Sequence, residues 1–190
     1  MSERICNVKP KEYNGRKFRS TLEAKTAETL EAMGLPYKYE NRRITLFDGF
    51  RCPYQKDKVQ SITYTPDFEV GSIILECKGF ETPEWRIKKK MLYKYLMQNE
   101  PNTIFYQIKN CGKQLLEALD KHWTYLGLAV QVTSKPTPKK HASTRMFSSI
   151  AEALDALELK NKPIGSILRS LTGQKEYIYG YKWKLKPLPL

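Results

Sequence analysis

The stretch SITYTPDFEVGSIILECKG, from Ser61 to Gly79, decides the reading of this chain. SITYTPDFEV (61–70) and SIILECK (72–78) are rich in β-branched and apolar residues. The tight Val70-Gly71-Ser72 junction between them predicts a hairpin. Side chains alternate along a strand, so Glu76 and Lys78 share one face while Cys77 points the other way. In such a hairpin Asp67 comes close to Glu76. Two carboxylates brought together repel, and a hard divalent cation is the usual relief. An ammonium two residues along the same face orients a metal-bound water or stabilises charge developing on a phosphate. An exposed cross-strand charge set is the alternative. Against it, the charges end the apolar run Ile73-Ile74-Leu75, where a solvated strand face is not expected.

Outward from the hairpin, helices and strands alternate. Leu22, Lys25, Thr26, Thr29, Leu30 and Met33 form a stripe at helical spacing, with Gly34 as the stop. YKYENRRITLF (37–47) reads as one strand, and Asp48 to Gln60, with Gly49 and Pro53, as a loop. From Pro83 to about Gln98 the pattern is helical, with Trp85, Ile87, Met91, Leu92, Tyr95 and Leu96 mostly on one side; Lys88, Lys89 and Lys90 crowd the other, either a solvated face or, following the hairpin, a place for phosphate contact. TIFYQIK (103–109) is a strand, CGKQLLEALDKHWTYL (111–126) a helix and LAVQVTS (128–134) a final strand. Glu23, on the first helix, is a third carboxylate able to close a metal site with Asp67 and Glu76.

The composition narrows the classes. Of 190 residues 41% are hydrophobic, which fits a folded domain and excludes wholesale disorder. No apolar run approaches the length of a membrane span, and the N-terminal MSERICNVKPKEY lacks a signal-peptide core. Four singly placed cysteines (Cys6, Cys52, Cys77 and Cys111) and two histidines argue against a zinc site and a disulfide scaffold, and for a reducing cytoplasm. The net charge of +13 points to a polyanionic partner, nucleic acid before an anionic membrane surface. Residues 134–190 hold 11 of the 33 basic side chains but only 4 of the 20 acidic ones, so the C-terminal part carries much of the electrostatic grip.

The expected division is therefore a mixed α/β domain over 1–133, a linker over 134–143 (SKPTPKKHAS) and a second unit over 144–190. In that unit Ser149 and Glu152 form a capping box for a helix through FSSIAEALDAL. Pro163 opens and Gly173 closes a second helix, and QKEYIYGYKWKL (174–185) reads as a short hairpin or extended arm. Two short helices with a brief turn make a helix-turn-helix candidate.

The blocks FRSTLEAKTAETLEAMGLPYKYE, YTPDF and ILECKG, followed by a basic helix, resemble the PD-(D/E)xK nucleases, and within them the phage-type endonuclease I group that resolves branched DNA. The resemblance covers about residues 13 to 108. It implies a restriction-endonuclease-like core, a mixed sheet flanked by helices. It implies further that Glu23, Asp67 and Glu76 bind metal, that the carbonyl of Cys77 joins them, and that Lys78 is the catalytic lysine. The implied cofactor is Mg2+, or Mn2+. This chain departs from the group at Lys38, where an acidic residue is usual, and in a longer connection between Glu40 and Ile62. Residues 146 to 185 resemble the NUMOD or intron-encoded-nuclease-repeat modules of homing endonucleases, above all in Gly180-Tyr181-Lys182-Trp183-Lys184. That resemblance implies that Ser166, Arg169 and Ser170 enter the major groove while Lys175, Lys182 and Lys184 hold phosphates.

Together these readings lead to a homing-type, site-specific endonuclease of duplex DNA, acting as a homodimer with a divalent metal in the cytoplasm, as a phage-encoded protein would in its host. A junction-resolving endonuclease and a non-catalytic DNA-binding regulator are the alternatives.

Overall fold

The computed structural model describes residues 9–54 and 56–188. They fall into two units, Pro36–Lys109 and the segments on either side of it. In the N-terminal segment, β1 (Lys11–Tyr13) and β2 (Arg16–Phe18) form an antiparallel hairpin. Asn14 and Gly15 turn it with φ of 49° and 73°. Two successive left-handed residues are what a tight two-residue hairpin loop requires, and Asn-Gly supplies them at low cost. Then α1 (Thr21–Ala32) starts at the N-cap Ser20, and the Leu35 N–H reaches back to the Leu30 carbonyl across Gly34, at φ +71°. Its buried face is Glu23, Ala24, Thr26, Ala27 and Leu30, with Lys25 exposed. The stripe is thus rotated from the expected one, because two alanines pack where longer side chains do not.

The unit Pro36–Lys109 holds β3 (Lys38–Tyr39), β4 (Ile44–Phe47), β5 (Phe50–Arg51), β6 (Lys58–Val59), β7 (Ile62–Tyr64), β8 (Phe68–Val70), β9 (Ile73–Cys77), α2 (Pro83–Asn99) and β10 (Ile104–Ile108). Four strands make a mixed sheet in the order β10-β9-β8-β3. β9 runs antiparallel to β8 and parallel to β10, with α2 as the crossover. All five residues of β9 are buried, as befits a central strand covered on both faces. The expected β8–β9 hairpin forms through Gly71, at φ +58°.

Two strands expected to be continuous are broken. Glu40, at φ 45°, splits 37–47, and Thr65-Pro66-Asp67 splits 61–70. β4 then pairs with β7 in a ribbon of its own, while β3 and β8 stay in the main sheet. Pro66 has no N–H to give a ladder, which explains the second break. The expected loop of 48–60 carries the small β5–β6 hairpin. Ile44, Tyr64, Ile74, Trp85, Leu92 and Leu96 form the core cluster of this unit.

After Asn110 come α3 (Lys113–Asp120), β11 (Leu128–Ser134), β12 (Thr144–Phe147), α4 (Ile150–Ala156), a 3-10 turn (Ile164–Ser166), α5 (Leu168–Leu171) and β13 (Tyr181–Pro187). The helix expected over 111–126 stops at Asp120, whose carboxylate takes the indole N–H of the buried Trp123 at 2.7 Å. β11 is the centre of a three-stranded antiparallel sheet, order β12-β11-β13. The boundaries expected at 133 and 144 therefore fall inside one sheet. The stretch 134–143 is the turn of the β11–β12 hairpin, bridged at Thr137 and Lys140, and Ser134 and Ser143 bond to each other across its base. QKEYIYGYKWKL delivers β13, whose seven residues pair along β11. The two helical segments of the C-terminal stretch do form, the first on the expected Ser149/Glu152 capping box. The second is a 3-10 turn running into a single α-turn, with Ile167 fully buried.

The described residues thus make a mixed α/β protein with several sheets and, among them, no closed barrel. Among the described residues no helix is long and apolar enough to cross a membrane. Cys52, Cys77 and Cys111 are in no disulfide, and Cys6 lies outside the described residues.

Candidate active site

Asp67, Glu76 and Lys78 belong to the same unit, at the end of the β8–β9 hairpin. The register pairs Phe68 with Leu75, so Asp67 and Glu76 are the next positions along that ladder. Instead of continuing it, Asp67 turns its side chain inward: Oδ2 accepts the Cys77 N–H at 2.7 Å. Its own carbonyl accepts the Glu40 N–H at 3.1 Å. Asp67 is thereby clamped between two neighbouring strands by main-chain groups. The turn of chain at Pro66 is what frees the carboxylate for this bond.

Glu76 is 5% exposed, and its Oε2 accepts the Tyr64 hydroxyl at 2.8 Å. The Tyr64 phenol is held well above its ordinary range, first by burial and then by the negative charges of Glu76 and Asp67. It therefore stays a hydrogen-bond donor at any working pH. Lys78 continues the edge of β9, its N–H on the Ile108 carbonyl at 3.0 Å. Its ammonium lies 5.0 Å from the centroid of the Trp85 ring.

Glu23 is in the other unit. Its carboxylate closes a capping box on α1: Oε1 takes the Ser20 hydroxyl at 2.7 Å and Oε2 the Arg19 N–H at 3.0 Å. Among the described residues no three His, Cys, Asp or Glu side chains gather into a metal cage. Asp67 and Glu76 come together within one unit, and Glu23 belongs to the other. The donor chemistry of the pair fits a hard dication: two carboxylates, one of them deeply buried against a neutral hydroxyl, with the soft Cys77 thiol on the alternate side of its strand.

The basic residues divide. Lys90 is exposed and Lys88 half-buried. Lys89 is engaged within the protein, 2.5 Å from Glu81 and 3.3 Å from the Gln107 carbonyl oxygen, and it draws the Glu81 carboxyl below its ordinary value. Arg169, Lys175 and Lys184 are exposed, and Ser166 is half-buried in the 3-10 turn. Lys182 pairs with Glu176 at 2.9 Å. Ser170, expected at a DNA groove, is turned inward. It is 8% exposed, accepts the Trp183 N–H at 3.1 Å and donates to the Glu176 carbonyl at 3.2 Å, so it fastens α5 to β13.

A family model, phage endonuclease I, matches residues 6–105. The chain belongs to that family. The match covers β1 to the start of β10, and so every acid of the candidate site, and membership implies a nuclease whose substrate is DNA. No curated protein and no solved structure matches the chain.

Two residues of the site escape a reading of motifs, Tyr64 and Trp85. Tyr64 sits three positions before Asp67 and passes for an ordinary strand aromatic. Trp85 passes for the core stripe of a helix, which it also is. The residue types carry no signal of their partners. The break at Pro66, had it been foreseen, would have pointed to Tyr64 by removing it from the strand of Asp67.

Proposed function

We propose that the chain is a metal-dependent endonuclease that hydrolyses phosphodiester bonds of DNA at Asp67, Glu76 and Lys78. The observation that supports it most is the meeting of Asp67 and the buried Glu76 at the end of β9, with Lys78 following on the same strand. In this reading Asp67, Glu76 and the Cys77 carbonyl hold Mg2+ or Mn2+, and Glu23 supplies the third carboxylate from α1. Capping does not bar Glu23 from that task, because a carboxylate has about four acceptor positions. The ion, when bound, lowers the pKa of a water and neutralises charge on the phosphate. Lys78 places its ammonium beside the phosphate oxygen where charge collects, and Tyr64 keeps Glu76 turned toward the same point. The Cys77 thiol takes no part.

The target in this proposal is a particular site on duplex DNA, cut by a homodimer in the homing manner. Its support is the excess of basic residues after 134, with Arg169, Lys175 and Lys184 exposed on and around the α5–β13 connection. The reader is then packed on the sheet of β11 rather than tethered by a linker. The family match favours a second target, the branch point of a four-way junction. One assay separates them. With Mg2+, a site-specific enzyme yields clustered ends from a randomised linear duplex library. A junction resolvase cuts a four-way junction and spares linear arms of the same sequence. Loss of both activities on chelation, and their return with Mg2+ or Mn2+, is the expected result. Cutting that persists in chelator, or no cutting of either substrate with either ion, overturns the proposal.

A further inference from the structure

One indole ring touches both halves of the candidate site. Trp85 lies in the first turn of α2, where Thr82 caps its N–H at 3.2 Å. Its ring is 5% exposed, and the Lys78 ammonium stands 5.0 Å from its centroid. The other contact is with Tyr64, centroid to centroid 5.8 Å at 40°. Tyr64 in turn holds Glu76 at 2.8 Å. The indole N–H donates to the Gln107 carbonyl oxygen at 3.0 Å, which fixes the ring in its plane against β10. A lysine has four flexible methylenes, and nothing in the family motif itself tells its ammonium where to stand.

We propose that Trp85 is a positioning residue of the nuclease: its ring face seats the Lys78 ammonium, the same ring packs at a tilt against Tyr64 and through it backs Glu76, and Gln107 locks the ring. The inference rests on the nuclease reading given above. The physical reason is that a cation is drawn to the face of an indole, more strongly as water is excluded. A reacting group held in one place gains rate without any gain in substrate affinity. Trp85 touches neither substrate nor metal in this scheme. It acts through Lys78 and Tyr64.

Three variants of the full-length chain test it: Trp85→Phe keeps a ring face and loses the N–H, Trp85→Leu loses both, and Gln107→Leu unlocks the ring while leaving it in place. Affinity is read on a labelled duplex and a labelled four-way junction in chelator, and single-turnover cleavage of both with Mg2+. The Lys78 signal is read by NMR after reductive 13C-methylation, assigned with Lys78→Arg. In Trp85→Leu cleavage is expected to fall by about 10–100-fold, the scale of a displaced positioning group, with affinity within about twofold of wild type. Trp85→Phe and Gln107→Leu, which both keep a ring face and lose the bond that locks it, fall in between. The ring-current shift of the Lys78 methyl signal disappears in Trp85→Leu and persists in Trp85→Phe. A folded Trp85→Leu or Gln107→Leu that cuts at the wild-type rate overturns the proposal. So does a Lys78 signal with no ring-current shift in the wild type. If the wild type itself cuts nothing with Mg2+ or Mn2+, the nuclease reading fails and takes the catalytic role of Trp85 with it, whereas the NMR result still decides where Lys78 is seated.

Discussion

Asp120 and Glu76 are buried to nearly the same depth, at 4% and 5% exposure, yet their surroundings differ in kind. Asp120 is surrounded by N–H groups. Its Oδ1 takes the Trp123 indole at 2.7 Å and the Ile150 N–H at 2.6 Å, and its Oδ2 the Ala151 N–H at 3.1 Å. Two of these donors are the unsatisfied amides of the first turn of α4, which an acid is well suited to cap. Glu76 meets a phenol instead, and the charge of Asp67 reaches the same phenol. An acid wrapped in N–H donors has its charge answered by the fold. Glu76 accepts from a neutral hydroxyl and Asp67 adds a second negative charge that reaches it, and two neighbouring acids are the situation a hard cation relieves. The comparison teaches that depth alone says little about a carboxylate, and that the donors around it bear on whether the fold answers its charge, which Asp120 illustrates and the proposed role of Glu76 puts to the test.

The comparison breaks most sharply at the chemical pair. Glu76→Gln keeps an acceptor for the Tyr64 hydroxyl and removes the charge. Metal-dependent cleavage should fall about a thousandfold, the scale of removing a group that answers transition-state charge directly. The metal-free melting temperature should hold or rise, since one of two neighbouring charges is gone. Asp67→Asn should behave alike in cleavage but lose some stability, because the Cys77 N–H bond weakens. Single-turnover rates and metal-free thermal melts measure both. A Glu76→Gln chain that cuts normally would make Glu76 another structural acid, and the contrast with Asp120 would disappear.

How far this was legible in the sequence follows from the range of each interaction. The β8–β9 hairpin, the Ser149/Glu152 capping box and the spacing of Asp67, Glu76 and Lys78 are local, and local rules of turns, caps and alternation reach them. The pairing of β11 with β13 joins residues about fifty positions apart, from Leu128–Pro187 to Ser134–Tyr181. No residue of SKPTPKKHAS announces that its flanks are strands of one sheet, so a proline- and lysine-rich turn passes for a linker. Asp120 was hidden for a similar reason. It looks like the polar face of a helix until Ile150, thirty positions on, brings α4 to it. Ser170 went wrong the opposite way: a serine on a short helix suggests a groove contact, and its hydroxyl is spent on Trp183 and Glu176. Glu23 is the mixed case, since Ser20 three positions earlier spells a capping box, and a carboxylate in such a box keeps acceptor positions for other partners.

The second break is at Asp120 itself. Asp120→Ala leaves three buried or half-buried N–H groups without their acceptor, and a loss of roughly 3 kcal/mol is expected. For a chain of this length that lowers the melting temperature by about 6–12 °C. Cleavage by the protein that remains folded, measured well below the transition, should stay within a few-fold of wild type. A large loss of activity with an unchanged melting curve would turn the assignment around and make Asp120 the chemical acid.

The smallest effect sharpens the comparison with a third arrangement, acids answered by a side-chain cation. Arg42 grips Glu100 with both terminal nitrogens, at 2.5 and 2.9 Å, and its Nε stands 2.9 Å from Glu69. The Arg42 bond is the first cause that holds the Glu100 carboxyl below its ordinary value of 4.5, and the Thr103 hydroxyl adds to it. Glu69 is on β8 and Glu100 caps α2, so the guanidinium ties a strand of the sheet to the end of the crossover helix. About a third of Arg42 is open to solvent, which limits the group to about 1 kcal/mol. The folded value of Glu100 lies below the unfolded one. The stabilisation is therefore complete above the ordinary carboxylate range and is lost as pH falls through the folded value. Urea melts of wild type and Arg42→Met should differ by that amount at neutral pH and converge as the pH falls through the folded value of Glu100. A gap that stays constant across the acid range would mean that Arg42 stabilises the unit by packing its methylenes rather than by answering Glu100, and charge compensation would then be absent from this end of the sheet as well.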